Sequence, residues 1–372
     1  MPVCAADRVR TSGKIQAIST FARVMHRAQD FRKEKVGIKI MTIREFAKLC
    51  DVSPATASRF FSGRGSISEP VRLRIEQMAK KTGYAPPDSF RGRRKTSALI
   101  VVIIPNFRQC FFNDMIEQLR TYAERMGKRL LIMPIDQSNP QNTLALISAC
   151  EPMGVILLHE SVDFPLADAL SRRNLPVVVC GALAAGRRFS AVHIDDMMAA
   201  YDGTNYLIGL GHSKIGFLTD ASRAISSGFQ RLTGCRKAME DEHLTFDDSY
   251  TQPGGMTYED GYEGVAALIE RHPDLTAIFA FSDDLAAGAI ARLREMGRRV
   301  PEDISVLGFD DNSMARRFSP ALTTVHQPME QIAQKTLERL ANMQGAHDVS
   351  SLTMACEIVE RASCRALDPS EM

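Results

Sequence analysis

Apolar positions along the chain follow two regimes. Between Thr42 and Gly83 they recur every three or four residues in short blocks; from Leu99 onward they come as β-branched runs alternating with helical blocks. In the first regime "TIREFAKLC" sets Ile43, Phe46, Ala47 and Leu49 at helical spacing, with Thr42 as N-cap and Glu45 three residues on, the pattern of a capping box. "DVS" breaks the period. Ser53 then caps a second helix with Pro54 in its first position, where a missing N–H costs nothing. In "VSPATASRFF" the residues to bury are Val52, Ala57 and Phe60, and the other face holds Pro54, Ala55, Ser58 and Arg59. After the loop "FSGRGSIS", Ser68 caps a third helix with Val71, Ile75, Met78 and Ala79 on one face and Gly83 just past its end. Three short helices, the first two joined by a three-residue turn, predict a helix-turn-helix with its supporting helix.

"YAPPDSFRGRRKT" is proline-rich, then basic, and reads as a linker. Beyond it, "ALIVVIIP", "RLLIMPI", "GVILL", "PVVVCG", "KIGFLT", "AIFAFS" and "ISVLGF" read as strands. Helical stretches such as "FFNDMIEQLRTYAERMG", "YDGTNYLIGLG", "FQRLTGCRKAMED" and "DLAAGAIARLREMG" lie between them. This alternation predicts α/β architecture with parallel sheets covered on both faces. Some 270 residues exceed one doubly wound sheet, so two lobes are expected. Ligands of such sheets sit beyond the carboxyl ends of the strands, where "PNFRQCFF", "FSDD" and "GFDD" fall.

Charge separates the two regimes. Residues 1–97 carry 21 Lys/Arg against 8 Asp/Glu, +13, and the remainder 25 against 36, −11, within a 372-residue chain of net +2. A basic front on an acidic body points to a polyanionic partner once a DNA-binding motif accompanies it. Eight cysteines without a CxxC pair read as reduced, mostly buried thiols, and no Cys/His cluster has metal-ligand spacing. No run approaches the ~18 apolar residues of a membrane span, and the N-terminus shows no signal peptide, so a cytoplasmic protein is expected. Residues 1–40 read as a disordered basic extension. No GxSxG, P-loop or HExxH is present, and His159, His193, His212 and His326 lie apart, so no catalytic residues, metal or cofactor are expected and the protein is read as a non-enzyme.

The ordered set "TIREFAKLCDVSPATASRFFSG", "SEPVRLRIEQMAKKTGYAP", "HIDDMMAAYDGTNYLIGLGHSKIGFL", "FAFSDDLAAGAIARLREMGRRVPEDISVLGFDD" and "SPALTTVHQP" resembles the lac repressor (LacI/GalR) family of bacterial transcription regulators, from Thr42 to about Arg361. The resemblance implies a headpiece at 41–87, a hinge at 88–97 and a two-lobed core of the periplasmic-binding-protein type at 98–365, followed by a tail. The expected lobes are 98–203 with 326–346, and 204–324 with 350–365. It also implies a homodimer or tetramer on a pseudo-palindromic double-stranded operator, with no membrane partner, and regulation, repression by default, by a small effector such as a sugar.

By the same resemblance Pro54, Ala55 and Arg59 occupy base-reading positions. Arg59 can donate two hydrogen bonds to guanine, and Pro54 and Ala55 can offer apolar contact to a thymine methyl. Thr42, Ser53, Thr56, Ser58 and Ser62 are placed for phosphates, and Tyr84 is a further DNA-side residue. Where the family inserts a hinge leucine into the minor groove, this chain has Arg93 after Gly92. Arg91, Arg93, Arg94 and Lys95 then either act by charge in a narrowed minor groove or form a basic linker. In the cleft the resemblance gives Phe111, Phe112, Arg231, Ser282 and Asp310 as ligand residues; Phe112 serves core packing equally well. Asp283 is read as structural, capping the following helix. Cys235 stands where an aromatic residue is common. A sugar, an acidic sugar, a purine or a nucleoside remains open as effector, as does its sign of action. The competing readings are a solute receptor on the same core, which calls for a signal peptide and no basic headpiece, and a sugar-metabolising enzyme, which needs a catalytic constellation.

Overall fold

The computed structural model describes residues 41–62, 67–82, 84, 97–135, 139–161, 165–173, 175–184, 189–220, 226–343 and 349–368. The extension at 1–40 and the hinge positions Arg91, Arg93, Arg94 and Lys95 lie outside them. The chain divides into two compact units, Met1–Lys95 and Thr96–Met372.

In the first unit the described residues form α1 (Ile43–Leu49), α2 (Pro54–Ser62) and α3 (Glu69–Thr82). The capping box forms as the sequence requires: the Thr42 hydroxyl accepts from the Glu45 N–H, and the Glu45 carboxylate accepts from the Thr42 N–H at 2.7 Å. The turn before α2 is made tight by Asp51 at φ +51°, a left-handed conformation that a short polar side chain tolerates. Phe46, Cys50 and Ile75 are fully buried, packed by Val52, Phe60, Phe61, Val71, Met78 and Ala79. Leu49, expected on the inner face of α1, is half exposed. Its place is taken by Cys50, one position on, and by Tyr84, whose ring stacks on Phe46 with centroids 4.2 Å apart.

The second unit is a pair of six-stranded sheets. The first has the order β11-β5-β4-β3-β1-β2, from β1 (Leu99–Ile104), β2 (Arg129–Pro134), β3 (Gly154–Leu158), β4 (Val177–Cys180), β5 (Ser190–Ile194) and β11 (Ser351–Met354), all parallel. The second has the order β12-β10-β9-β8-β6-β7, from β6 (Ile215–Asp220), β7 (Thr251–Gly254), β8 (Ala277–Ala280), β9 (Ser305–Asp310), β10 (Thr323–His326) and β12 (Glu357–Val359). It is parallel except that β12 runs antiparallel to β10. The continuous apolar strands β3, β4 and β9 are buried at every position, as strands covered on both faces must be. Each fully buried Val, Leu or Ile stabilises by roughly 1.5–3 kcal/mol.

Helices α4 (Cys110–Arg125), α5 (Pro140–Cys150), α6 (Pro165–Ser171) and α11 (Met329–Asn342) belong to the first lobe. Helices α7 (Asp196–Gly209), α8 (Ser227–Asp241), α9 (Tyr258–Arg271) and α10 (Asp283–Glu295) belong to the second. Gly234 lets α8 approach the backbone of α7 so closely that a Cβ there would stand 2.0 Å from the Met197 carbonyl.

The expected lobe boundaries need correction in two places. All of α7 lies on the second lobe, where a Cβ at Gly203 would fall 2.8 Å from the Phe279 ring, so the first crossing is at 194–196 and not near 203. The segment 351–354, expected in the second lobe, is β11 and pairs with β5 of the first. The chain thus passes between lobes at 194–196, 326–329 and 354–357.

Candidate functional site

The exposed face of α2 is the one its apolar pattern leaves over. Ala57 is fully buried and Val52 and Phe60 pack on the core, so Ser53, Pro54, Ala55 and Arg59 face outward, with Thr56 and Ser58 partly covered. The Ser53 hydroxyl lies 2.8 Å from that of Thr56 and accepts the Thr56 N–H at 3.0 Å, while the Thr42 hydroxyl donates to Glu45 at 3.0 Å. These three hydroxyls therefore fix the starts of α1 and α2. The side chain of Ser62 lies outside the described residues. Tyr84 also serves packing: its ring is part of the headpiece core, edge-on to Phe61, its hydroxyl is enclosed without a protein partner, and burial raises its phenol.

In the core, the loops after β1, β3, β6, β8 and β9 converge on one depression between the lobes. It is lined by Phe111, Phe112, His159 and Glu160 on one side and by Arg231, Asp310 and Gln327 on the other. The depression measures about 400 Å³ including its open mouth, but the enclosed space is only about 30 Å³. Ligand pockets hold roughly 300–1,000 Å³, so the lobes stand closed upon one another. Several hydrogen bonds hold them so. The Cys110 N–H donates to Asp284 at 2.8 Å, the Ser227 N–H to the Glu160 carbonyl at 3.2 Å, and the Ser313 N–H and hydroxyl to Asp114 at 2.6 and 3.0 Å.

Arg231 projects from α8 and is buried. Its Nε donates to Asp196 at 2.8 Å, its Nη1 to the Phe281 carbonyl at 2.5 Å, and its guanidinium lies 3.6 Å from the centre of the Phe309 ring. Burial raises the Asp196 carboxyl, opposed by the charge of Arg231. Asp310 ends β9 and accepts from Gln327 Nε2 at 2.7 Å. Burial raises its carboxyl well above the usual range, again opposed by Arg231. Asp310 and Asp311 have φ of +121° and +54°, and two successive non-glycine residues in this region mark a strained turn of the kind found at functional sites.

The structure brings Phe111, Phe112, Arg231, Ser282 and Asp310 together around this depression, with distinct roles. Phe111 is partly exposed and edge-on to Phe112, opposite Gly181, whose φ of +84° turns the chain where a Cβ would stand 3.6 Å from the ring. Phe112 is a fully buried core residue at the floor. The Ser282 hydroxyl accepts the Leu285 N–H at 3.1 Å and donates to the Met256 carbonyl, so it is committed to capping α10. Asp283, expected to be that cap, instead accepts from the Thr324 hydroxyl at 2.6 Å and the Asn312 N–H at 2.7 Å, and burial raises its carboxyl to about 7. Cys235 packs against α7, away from the lining, and burial pushes its thiol up to about 12.

Sequence reasoning missed Gln109, His159, Glu160, Met256, Phe281 and Gln327. Gln109 Nε2 donates to Glu160 at 3.2 Å, and burial lowers His159 below the ordinary imidazole range against the pull of Glu160. The usable signal for Gln327 was its place in "HQP", directly after a strand and before a helix. Among the described residues no group of His, Cys, Asp or Glu is arranged to hold a metal ion, and no helix is long and apolar enough to cross a membrane.

Residues 42–87 match the family described as bacterial regulatory proteins, lacI family, and residues 204–364 match a periplasmic binding protein-like domain. The HTH-type transcriptional repressor CytR of Escherichia coli strain K12 is 33% identical over 332 residues, covering 88% of this chain and 97% of that protein. Catabolite control protein A of Priestia megaterium is 28% identical over 315 residues, covering 84% and 95%. Among solved structures, the complex of the transcriptional regulator CelR with cellobiose aligns with a TM-score of 0.66 at 25% identity, covering 87% of this chain and 99% of that one. Headpiece, two-lobed core and relatives agree: the chain belongs to the lacI family of bacterial regulatory proteins, DNA-binding transcriptional regulators that join a helix-turn-helix headpiece to a periplasmic-binding-protein-like core.

Proposed function

We propose that this protein is an operator-specific repressor, acting as a homodimer in the cytoplasm, whose DNA affinity is set by a small polyhydroxylated effector bound between the core lobes. In this reading Arg59, Pro54 and Ala55 reach base edges in the major groove, and Thr42, Ser53, Thr56, Ser58 and Ser62 hold phosphates. Arg91 and Arg93 of the hinge add charge toward the minor groove. In the cleft, Arg231 and Asp310 take hydroxyls and Phe111 covers an apolar ring face.

The single observation that carries the effector reading is the buried Arg231–Asp196 pair beside Asp310, under a strained turn and next to two of the three lobe crossings. Buried charge at a crossing is where a ligand can favour one lobe arrangement over another. Because the enclosed space is only about 30 Å³, admission of a ligand requires the lobes to separate, which breaks the bonds at Asp114, Asp284 and Glu160. The coupling between effector and operator is reciprocal and typically ~1–3 kcal/mol. The cellobiose bound to CelR supports a sugar, and the repressor names of relatives such as CytR support repression. A solute receptor would have no use for the capped, basic headpiece.

The test is a mobility shift on DNA upstream of the protein's own gene, with and without sugars, sugar acids and nucleosides, joined to a thermal-shift screen of the same compounds. A stabilising compound that also changes the shift establishes the linkage. A protein that binds no duplex at low salt refutes the operator reading.

A further inference from the structure

A second depression lies at the end of the second lobe opposite the cleft. It encloses about 430 Å³, about 850 Å³ with its open mouth, and is bounded by Arg294, Arg298, Arg299 and Glu302 around an apolar surface from Ile290 and Val300. Strand polarity fixes its place. Glu302 precedes the start of β9, and Asp310 ends β9 in the cleft. The 6 residues of that strand, at about 3.3 Å each, set the two depressions roughly 20 Å apart. The enclosed volume falls within the roughly 300–1,000 Å³ of small-molecule sites.

Charge here runs against that of the core. Residues 98–372 carry 25 Lys/Arg against 36 Asp/Glu, yet this depression sets three arginines against one glutamate. Arg299 is committed: its Nε and Nη2 donate to Asp303 at 3.1 and 2.7 Å. Among the described residues no carboxylate forms an ion pair with Arg294 or Arg298. Arg298 Nη2 donates to the Pro273 carbonyl at 3.3 Å, which leaves the rest of its fork open. Glu295, beside Arg294 in the chain, accepts from Tyr262 and Arg292 instead. Arg365 brings a further guanidinium to the edge, its Nε and Nη2 donating to the Glu302 carbonyl at 3.1 and 2.8 Å. Guanidiniums gathered around one depression repel each other, and their planar forks match the oxygens of phosphate or carboxylate in pairs.

We propose that this depression is a second ligand site, separate from the cleft, that takes a small organic dianion bearing a phosphate or paired carboxylates. Arg294 and Arg298 hold the oxyanion, Arg299 adds charge without an open fork, and Ile290 and Val300 receive the carbon body. The site does not depend on the effector reading of the cleft, and either can fail without the other.

The experiment is calorimetric titration of the full chain with phenyl phosphate, phthalate and inorganic phosphate at constant low ionic strength, since salt screens exposed charges. Phenyl phosphate or phthalate is expected to bind saturably and more tightly than inorganic phosphate, which has no carbon body. Whichever of the two binds better tells a phosphate ligand from a carboxylate one. Arg294→Gln combined with Arg298→Gln is expected to weaken that binding about tenfold. Arg125→Gln combined with Arg129→Gln removes the same charge from the exposed surface of the first lobe and is expected to leave it unchanged. Melting temperatures establish that each pair of substitutions keeps the fold. Binding that survives Arg294→Gln with Arg298→Gln puts the anion on the headpiece or in the cleft and overturns the proposal. Equal weakening by both pairs shows diffuse attraction alone and overturns it too, as does a panel in which nothing binds. Inorganic phosphate binding as tightly as both organic probes overturns the organic class. Should the 294 and 298 pair fail to fold, Glu302→Gln, which removes the opposing carboxylate, is expected to tighten binding about threefold; an unchanged or weaker affinity in that variant overturns the proposal.

Discussion

Asp196 and Arg231 form an ion pair across α7 and α8, 2.8 Å from Oδ1 to Nε, with both side chains buried. Neither charge is replaceable alone. Arg231→Met leaves Asp196 desolvated and without its ion-pair partner, a change of the kind that costs about 3–5 kcal/mol. Replacing both, Asp196→Leu with Arg231→Met, is expected to restore much of that loss, since buried pairs often exchange with apolar residues at little cost. Denaturant melts of the two single variants and the double variant measure the difference. The double variant is also expected to lose its effector response while still binding DNA. A double variant no more stable than Arg231→Met would show that Arg231 acts through other contacts.

Arg59 stands on the exposed face of α2, one turn from its N-terminus. A bidentate contact with guanine should make Arg59→Ala cost about 1–3 kcal/mol on the specific site and far less on unrelated duplex. Binding isotherms across a salt series separate this from a phosphate contact. Loss of a phosphate contact weakens all sequences alike and lowers the salt slope by about one.

Tyr84 packs its ring on Phe46 while its enclosed hydroxyl has no protein partner. Removing that oxygen is therefore expected to leave stability unchanged or slightly improved, because an unsatisfied buried hydroxyl is itself unfavourable. Tyr84→Phe should also bind operator DNA as the unmodified protein does. Tyr84→Ala, which removes the stacked ring, should destabilise the headpiece by about 3–5 kcal/mol. A large loss of DNA affinity in Tyr84→Phe with an unchanged melt would show that the Tyr84 hydroxyl contacts DNA.

These residues show where sequence was informative. The apolar runs of β1, β3, β4 and β9 were legible because a strand covered on both faces has no alternative composition. The capping residues Thr42 and Ser53 were legible because their chemistry is local. The strands "SAVHI", "TQPG", "TTVH", "SLTM" and "EIV" were missed: each is five residues or fewer, and β7 carries a proline and a glycine on a sheet edge. Local pattern also could not place 351–354, whose partner β5 lies some 160 residues earlier. In the cleft the same limit applied. Burial of Phe112 followed from its helix, but the exchange of roles between Ser282 and Asp283 depends on Thr324 and Asn312, which only the fold brings near.

His326 and Asp311 meet beside the second lobe crossing, Nδ1 to Oδ2 at 3.0 Å, with Arg361 on the other carboxylate oxygen at 2.5 Å. The hydrogen bond that His326 donates to Asp311 raises the imidazole above its ordinary value, against the effect of partial burial, with Glu357 adding to the rise and Arg361 opposing it. Burial alone would raise Asp311, but hydrogen bonds from His326 and Arg361 hold its carboxyl below the usual range. The sign follows from linkage. The histidine's contribution is fully present below its unfolded value of about 6.5 and declines as pH rises through the higher folded value. The aspartate's contribution is present above about 3.9 and declines as pH falls through its depressed folded value. The pair therefore stabilises most between those limits, in mildly acidic solution. The melting-temperature difference between the unmodified protein and His326→Asn should be largest near pH 6 and shrink toward pH 8.5. A difference that stays constant or grows across that range would mean that His326 supports the crossing by packing, without its charge.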